Sequence, residues 1–298
     1  MIVVTGASGR TGKRVAEVLL TRGERVRVIG RDAGRLAPLV NLGAEAAVGS
    51  VEDVPRLSTF FDGAEAVYLV LPEDLSKQDL RAHQERISNC YVAAIRNAHV
   101  EFVVNLSSIG GQHSKGTGPI VGLHNQEQKL NRIEDLNVLH LRAAYFMENL
   151  FASLNSLIET RTLTGGMRGD IPIPWIATKD IGAYAAKRLQ AGDFAGSSIQ
   201  ELHGQRDVSM SEAASIIGKA INCPGVAYLQ LSNSVLAENL LGMGMPARTV
   251  ELILEMWEGA NAGLIRAQEQ RSARNTTPTS LESFVSEVFA PAVQAASP

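Results

Sequence analysis

Gly6, Gly9 and Gly12 stand at three-residue spacing in the opening M-I-V-V-T-G-A-S-G-R-T-G, after an apolar run at 2–4 and before a helical pattern at 13–21. A buried strand, a tight turn and a helix start in that order suit one kind of ligand. Gly6 lets the chain reverse sharply, Gly9 leaves room for a pyrophosphate to approach the backbone, and Gly12 lets the helix pack close to the strand, while the free amides of the helix N-terminus attract anions. The turn formed by Gly6, Ala7, Ser8, Gly9, Arg10, Thr11 and Gly12 is therefore a candidate dinucleotide loop. Spaced glycines also occur in ordinary strand-to-helix turns; here the preceding strand, the amphipathic helix and a second strand at about the right distance favour the dinucleotide.

That second strand, 25–29, puts Val26 and Val28 on one face and Arg25 and Arg27 on the other, and ends in Gly30-Arg31-Asp32. The tip of such a strand meets the adenosine ribose, where an acid binds the free 2′-hydroxyl of NAD and an arginine accommodates the 2′-phosphate of NADP. Arg31 points to NADP(H). Asp32, one residue on, keeps NAD(H) as the second choice, and a solvated surface arginine is the plain alternative for Arg31.

A turn of this kind works only if a sheet holds it. Further strands are expected at 44–48, 66–71, 101–106 and 138–142, with helices at 79–97 and 123–133. Gly49 to Asp53 reads as a turn and a helix cap, with Ser50 and Val51 near the adenine. Crossovers between parallel strands are almost always right-handed, so the expected class is α/β: a doubly wound parallel sheet with a smaller, mostly helical C-terminal lobe. The expected division is 1–150 for the nucleotide-binding part and 151–298 for a covering lobe, with segments around 176–203 returning to the first part. Ligands of such sheets bind outside the carboxyl ends of the strands, where strand order reverses. The glycine turn, Arg31, Leu71-Pro72 and Ser107-Ser108 all fall at such ends.

Composition narrows the class. A net charge of -3 over 298 residues gives no electrostatic footprint for nucleic acid or an anionic membrane surface. Cys90 and Cys223 lie far apart without a C-x-x-C and read as reduced core thiols. The six histidines show no H-E-x-x-H spacing, so no metal is expected, and neither a G-x-S-x-G elbow nor a G-K-[ST] phosphate loop occurs. No apolar run approaches a membrane span and no signal peptide is visible, so the expected compartment is the cytoplasm.

The motifs T-G-A-S-G-R-T-G, V-I-G-R-D, N-L-S-S and L-R-A-A-Y-F-M-E-N-L, taken together, resemble the NmrA-like group of atypical short-chain dehydrogenases/reductases. The resemblance runs over roughly the whole chain and is strongest up to Leu150. It implies a Rossmann domain that binds NADP(H) or NAD(H) beneath a smaller lobe. Phe146, Met147, Glu148 and Asn149 would lie along the nicotinamide half of the cofactor, and Val70, Leu71 and Pro72 under its centre. Members include quinone and carbonyl reductases and also cofactor-binding redox sensors.

Typical short-chain dehydrogenases place a tyrosine four residues before a lysine, which lowers the phenol's pKa for proton transfer. Here Asn125 stands four residues before Lys129. Where the NmrA-like group often has a lysine, this chain has His124, able to donate a proton or orient the nicotinamide ribose, or else an ordinary helix-surface histidine. Ser107 and Ser108 fall where the family's catalytic serine would, though serines also cap turns after strands. His124, Ser107 and Lys129 are thus the catalytic candidates. A quinone can take hydride and draw its proton from water, whereas a simple ketone needs the missing acid more. The expected activity is NAD(P)H-dependent reduction of a quinone or similar activated acceptor, with Met147 and Trp175 walling an apolar pocket. A redox sensor acting through a protein partner is the alternative, and a nucleotide-sugar epimerase, which also needs the absent tyrosine, ranks third.

The second half carries less chemistry. Residues 165–176 read as an irregular loop or short strand; a helix to 189 would be capped by Thr178 or Asp180, and one at 209–221 by Ser209 or Ser211. A strand is expected at 198–202 and helices at 235–241, 247–261 and 281–289, with Trp257 in the core and the tail from 290 fraying.

Overall fold

A computed structural model describes residues 1–296. Strand and helix alternate from the first residues: β1 (Ile2–Val4), α1 (Arg10–Thr21), β2 (Val26–Gly30), α2 (Ala33–Val40), β3 (Glu45–Val48), α3 (Val54–Phe61), β4 (Ala66–Val70), α4 (Leu80–Ala98), β5 (Phe102–Ser108), α5 (Ile120–Leu130) and β6 (Asn137–Ala143). The second half runs through β7 (Tyr145–Phe146), a 3-10 turn (Met147–Ser153), α6 (Leu154–Thr160), β8 (Thr162–Gly165), β9 (Ile173–Ile176), α7 (Thr178–Ala191) and β10 (Ser197–Leu202). It ends with β11 (Asp207–Val208), α8 (Met210–Ala220), β12 (Ala227–Gln230), α9 (Asn233–Gly242), α10 (Ala247–Asn261), α11 (Leu281–Phe284), a π turn (Val285–Phe289) and α12 (Ala290–Ala296).

The main sheet has seven strands in the order β10-β6-β5-β4-β1-β2-β3, every pair parallel. Order reverses between β1 and β4, so the crevice of a doubly wound sheet opens above those two strand ends. The two-residue side-chain period of a strand sends neighbours to opposite faces. Val4 joins Val15, Leu19 and Ile181 on the α1/α7 side; Val3 joins Leu57, Phe61 and Ile87 on the α3/α4 side. The lobe has its own core, built on Met147, Trp175, Ile217, Phe284 and Phe289. It carries two small sheets, β11-β9-β7 and β12-β8.

Two late segments serve the first half. β10 pairs with β6 along its length, from Ser197 opposite Val138 to Leu202 opposite Ala143. α7 lies against α1 so closely that a Cβ on Gly182 would stand 2.6 Å from the Cβ of Arg14. Only glycine lets the two backbones approach that far.

Three expectations need correction. Neither Thr178 nor Asp180 caps α7: the N-cap is Ala177, and the carboxylate of Glu148 accepts from the Thr178 amide at 3.0 Å and hydroxyl at 2.5 Å. Asp180 is instead buried and accepts from the amide and hydroxyl of Thr279, both at 3.0 Å. The tail does not fray from 290 to 296, because α12 continues to Ala296 and Val293 is buried in the lobe core; the last two residues of that expectation lie outside the described residues. Apolar residues four apart across the π turn carried that signal.

Candidate functional site

The glycine turn fits a dinucleotide by geometry. Gly6 adopts φ +60°, and a Cβ there would press on Val70 at 3.3 Å, which seats the turn on the tip of β4. A Cβ on Gly12 would lie 2.4 Å from the Gly6 carbonyl oxygen, a backbone atom that cannot step aside. Thr5 completes the anchor: its hydroxyl donates to the Tyr68 carbonyl and accepts from the Val70 amide, both at 3.0 Å. α1 starts at Gly9 with no side-chain cap and no acid in its first turn, whereas α2, α3 and α4 are capped by Asp32, Asp53 and Asp79. The amides of α1 are therefore left for an anion, and the helix dipole adds to the attraction.

At the tip of β2 the two candidates part. Asp32 accepts from the amides of Gly34 at 2.8 Å and Arg35 at 3.3 Å, so its carboxylate is committed to starting α2. Arg31 is exposed and has no partner among the described residues. Arg35, which sequence reading passed over, reaches back from α2 to donate to the Ser8 carbonyl at 3.0 Å. Two guanidinium groups thus flank the turn, and the i,i+4 spacing of Arg31 and Arg35 was the available signal. On the far side, Ser50 accepts from the Glu52 amide at 3.1 Å, and Val51 packs on the α3/α4 core.

At the other end of the crevice the catalytic candidates separate. Ser107 is buried and donates to Glu127 at 2.6 Å. Glu127 in turn receives two bonds from Arg142, at 3.0 and 2.6 Å, forming a buried bidentate ion pair. With its proton spent on Glu127, Ser107 can accept a hydrogen bond but has none left to give. Ser108 donates to the carbonyl of Ile109. His124 lies in the first half of α5, with Nδ1 2.9 Å from the Gly111 carbonyl. A carbonyl only accepts, so Nδ1 carries the hydrogen and Nε2 is the acceptor of a neutral ring. His124 could orient a ribose hydroxyl as it stands, and could donate a proton only as imidazolium. Lys129 is in the last turn of α5, at the opposite end from the strand tips, and is held by Glu85 at 2.5 Å and Asn89 at 2.7 Å. It is not brought to the other candidates.

No tyrosine replaces the missing acid. Burial pushes all five phenols above their ordinary value: Tyr68, Tyr91, Tyr145, Tyr184 and, up to about 12, Tyr228. That is the reverse of what a phenol acid requires. Phe146 packs against the sheet core, and Asn149 is exposed beside Tyr145. Met147 and Trp175, expected to wall an open pocket, are each 1% exposed. Trp175 stacks edge-on to Tyr145 with centroids 4.9 Å apart and donates to the Val208 carbonyl, so both residues build the lobe core instead.

The cleft is roofed by α10. Glu255 accepts from the Gly116 amide at 2.7 Å and pairs with Arg81 at 3.2 Å; Arg248 pairs with Asp79 at 3.2 Å. Glycines let the 110–118 loop lie flat beneath it: Gly118 has φ +54°, and a Cβ there would stand 2.0 Å from the Leu252 carbonyl oxygen.

The sequence model of the NmrA-like family matches residues 1–284. The chain belongs to the NmrA-like family. Quinone oxidoreductase 2 of Escherichia coli is 25% identical over 88% of this chain and 89% of its own length. A (4-alkanoyl-5-oxo-2,5-dihydrofuran-3-yl)methyl phosphate reductase of Streptomyces griseus is 24% identical over 93% of this chain and 95% of its own. The crystal structure of the Escherichia coli NADPH-dependent quinone oxidoreductase in complex with NADPH superposes with a TM-score of 0.81 at 22% identity, covering 97% of this chain and 100% of that one. The shared architecture places this family member among Rossmann-fold proteins. Among its described residues no helix is long and apolar enough to cross a membrane, and no cluster of His, Cys, Asp and Glu could hold a metal ion.

Proposed function

We propose that this NmrA-like protein is an NADP(H)-dependent reductase of a quinone or similar activated acceptor. The observation that carries the cofactor choice is the division of labour at the β2 tip: Asp32 is consumed as a helix cap while Arg31 stands free beside an uncapped α1. When bound, NADPH supplies hydride. The α1 amides would hold its pyrophosphate, Arg31 and Arg35 would meet the 2′-phosphate, and His124 Nε2 would accept from the nicotinamide ribose. The acceptor class follows from proton supply, since five raised phenols and a Ser107 without a free proton suit an acceptor that does not lean on them. Of the curated relatives, one is named a reductase of a furanone phosphate and another a quinone oxidoreductase.

The buried positions of Met147 and Trp175 favour the second reading, a redox sensor whose cofactor changes a surface for a partner protein. One assay separates the two: NADPH consumption with a panel of quinones, alongside NADPH and NADH binding. Arg31→Ala should weaken NADPH by about 2 kcal/mol, roughly thirtyfold in Kd, and leave NADH unchanged. Equal weakening of both cofactors would sink the phosphate role. Tight NADPH binding without turnover on any quinone would leave the sensor.

A further inference from the structure

We propose that Glu127 is a positioning residue: through the Gly111 peptide it keeps the His124 ring in the form whose Nε2 is a bare hydrogen-bond acceptor. The inference rests on the reading of His124 as partner of the nicotinamide ribose and adds what holds that ring.

Sheet register brings the parts together. Ser107 on β5 stands opposite Arg142 on β6, and Glu127 on α5 bonds to both. Arg142 donates to each carboxylate oxygen, Nε to Oε1 at 3.0 Å and Nη2 to Oε2 at 2.6 Å, which fixes the plane of the carboxylate. Oε1 also accepts from the Ser107 hydroxyl at 2.6 Å. All three residues are buried. A buried ion pair gains little net stability over apolar side chains of the same volume. What this one provides is fixed geometry.

Gly111 lies across the cluster. A Cβ on it would stand 3.0 Å from Glu127 Oε1 and 3.1 Å from Ser107 Oγ, over the hydrogen bond that joins them. The same Cβ would meet the Ser108 carbonyl oxygen at 3.0 Å, the acceptor of the Gly111 amide. Gly110 closes that turn at φ +89°, a conformation that favours glycine. Gly111 is therefore seated on the Ser107–Glu127 pair, and its carbonyl accepts from His124 Nδ1 at 2.9 Å. His124 and Glu127 share one face of α5, joined by a glycine small enough to pass between them. The partner of one imidazole nitrogen decides which nitrogen carries the hydrogen, so a carbonyl held at Nδ1 leaves Nε2 bare. With the Gly111 peptide free to tilt, the ring would be free to take the opposite tautomer and offer a donor where a ribose hydroxyl needs an acceptor.

The test uses the full chain. Ser107→Ala removes the bond beneath Gly111 and leaves the ion pair whole; Glu127→Gln removes the charge that organises both. The 15N signals of the His124 ring, assigned by their loss in His124→Ala, should show a protonated Nδ1 and a bare Nε2 in the wild type and a mixture of tautomers in both variants. The NADPH Kd should rise about tenfold in each. In a His124→Ala background the same two substitutions should leave the NADPH Kd where His124→Ala alone puts it, the non-additivity of groups that act as a unit. An unchanged His124 ring in folded Ser107→Ala, or a further tenfold loss in the His124→Ala background, overturns the positioning role. A His124→Ala variant that binds NADPH as tightly as wild type overturns the ribose reading of His124, while the ring signals still decide whether Glu127 holds it. None of these readouts needs an acceptor, so a chain that binds NADPH without turnover is tested equally.

Discussion

At the residue scale the site is defined by what side chains cannot do. Gly12 has no side chain because any Cβ would collide with the Gly6 carbonyl oxygen at 2.4 Å. Gly12→Ala should therefore open the turn, cost about 1–3 kcal/mol of stability by overpacking, and weaken NADPH binding more than tenfold, as read by thermal melts and cofactor titration. A variant with unchanged affinity would show that the turn tolerates spreading. The glycines were legible because a missing Cβ is a property of the sequence itself. The choice between Arg31 and Asp32 was not, because either could reach a ribose from the strand tip. Two backbone amides, from Gly34 and Arg35, engage Asp32 and leave Arg31 without a protein partner among the described residues. For the same reason Ser107 looked catalytic in sequence: its bond to Glu127 joins residues twenty apart on different elements.

At the scale of elements, α7 begins with a borrowed cap. Glu148, on the 3-10 turn, supplies the acceptor that Ala177 lacks. Glu148→Gln should destabilise the protein by about 1 kcal/mol, through the weaker acceptor and the lost charge at a helix N-terminus, with little change in cofactor affinity. A large loss of affinity at unchanged stability would instead assign Glu148 to the nicotinamide. The β5/β6 seam carries a second device. His140 is fully buried; Asn105 donates to its Nδ1 at 3.0 Å, and its Nε2 faces the Asn131 oxygen at 2.8 Å, which fixes the neutral Nε2–H form. Burial lowers its pKa from 6.5 to about 4. Between these values the unfolded chain binds a proton that the folded chain refuses. Its contribution to stability is full above pH 6.5 and falls by about 3 kcal/mol as pH drops through that window. Denaturant midpoints measured from pH 7 to 4 should show the fall in the wild type and a shallower one in His140→Gln; parallel curves would locate the acid sensitivity elsewhere. The seven strands of the sheet were expected from the sequence, most of them from apolar runs and β2 from its alternation of valine with arginine. The short pairings β7, β11 and β12 were not, because two to four residues leave no period to recognise.

At the scale of the molecule, lobe and sheet meet through Glu255, which touches Arg81 on α4 and Gly116 on the loop above β5 at once. Glu255→Ala should speed amide hydrogen exchange at Gly116 and its neighbours and raise the KM for the acceptor, while the main sheet keeps its protection. Unchanged exchange there would mean that apolar packing of α10 alone closes the roof. Nothing in the sequence near Glu255 announced this, since its partners lie well over a hundred residues upstream.

The same long reach governs how the chain comes into being. The sheet that cradles the glycine turn is complete only when residues 197–202 lie beside β6, and α1 is covered only when 178–191 has arrived. Synthesis at about 5–20 residues per second makes the nascent nucleotide-binding half wait several seconds for its own edge strand and flanking helix. During that interval the bare edge of β6 is an unpaired strand, the kind of surface that finds other chains. The late placement of β10 therefore sets how long that edge stays bare, a span fixed by the roughly sixty residues that separate paired positions on β6 and β10.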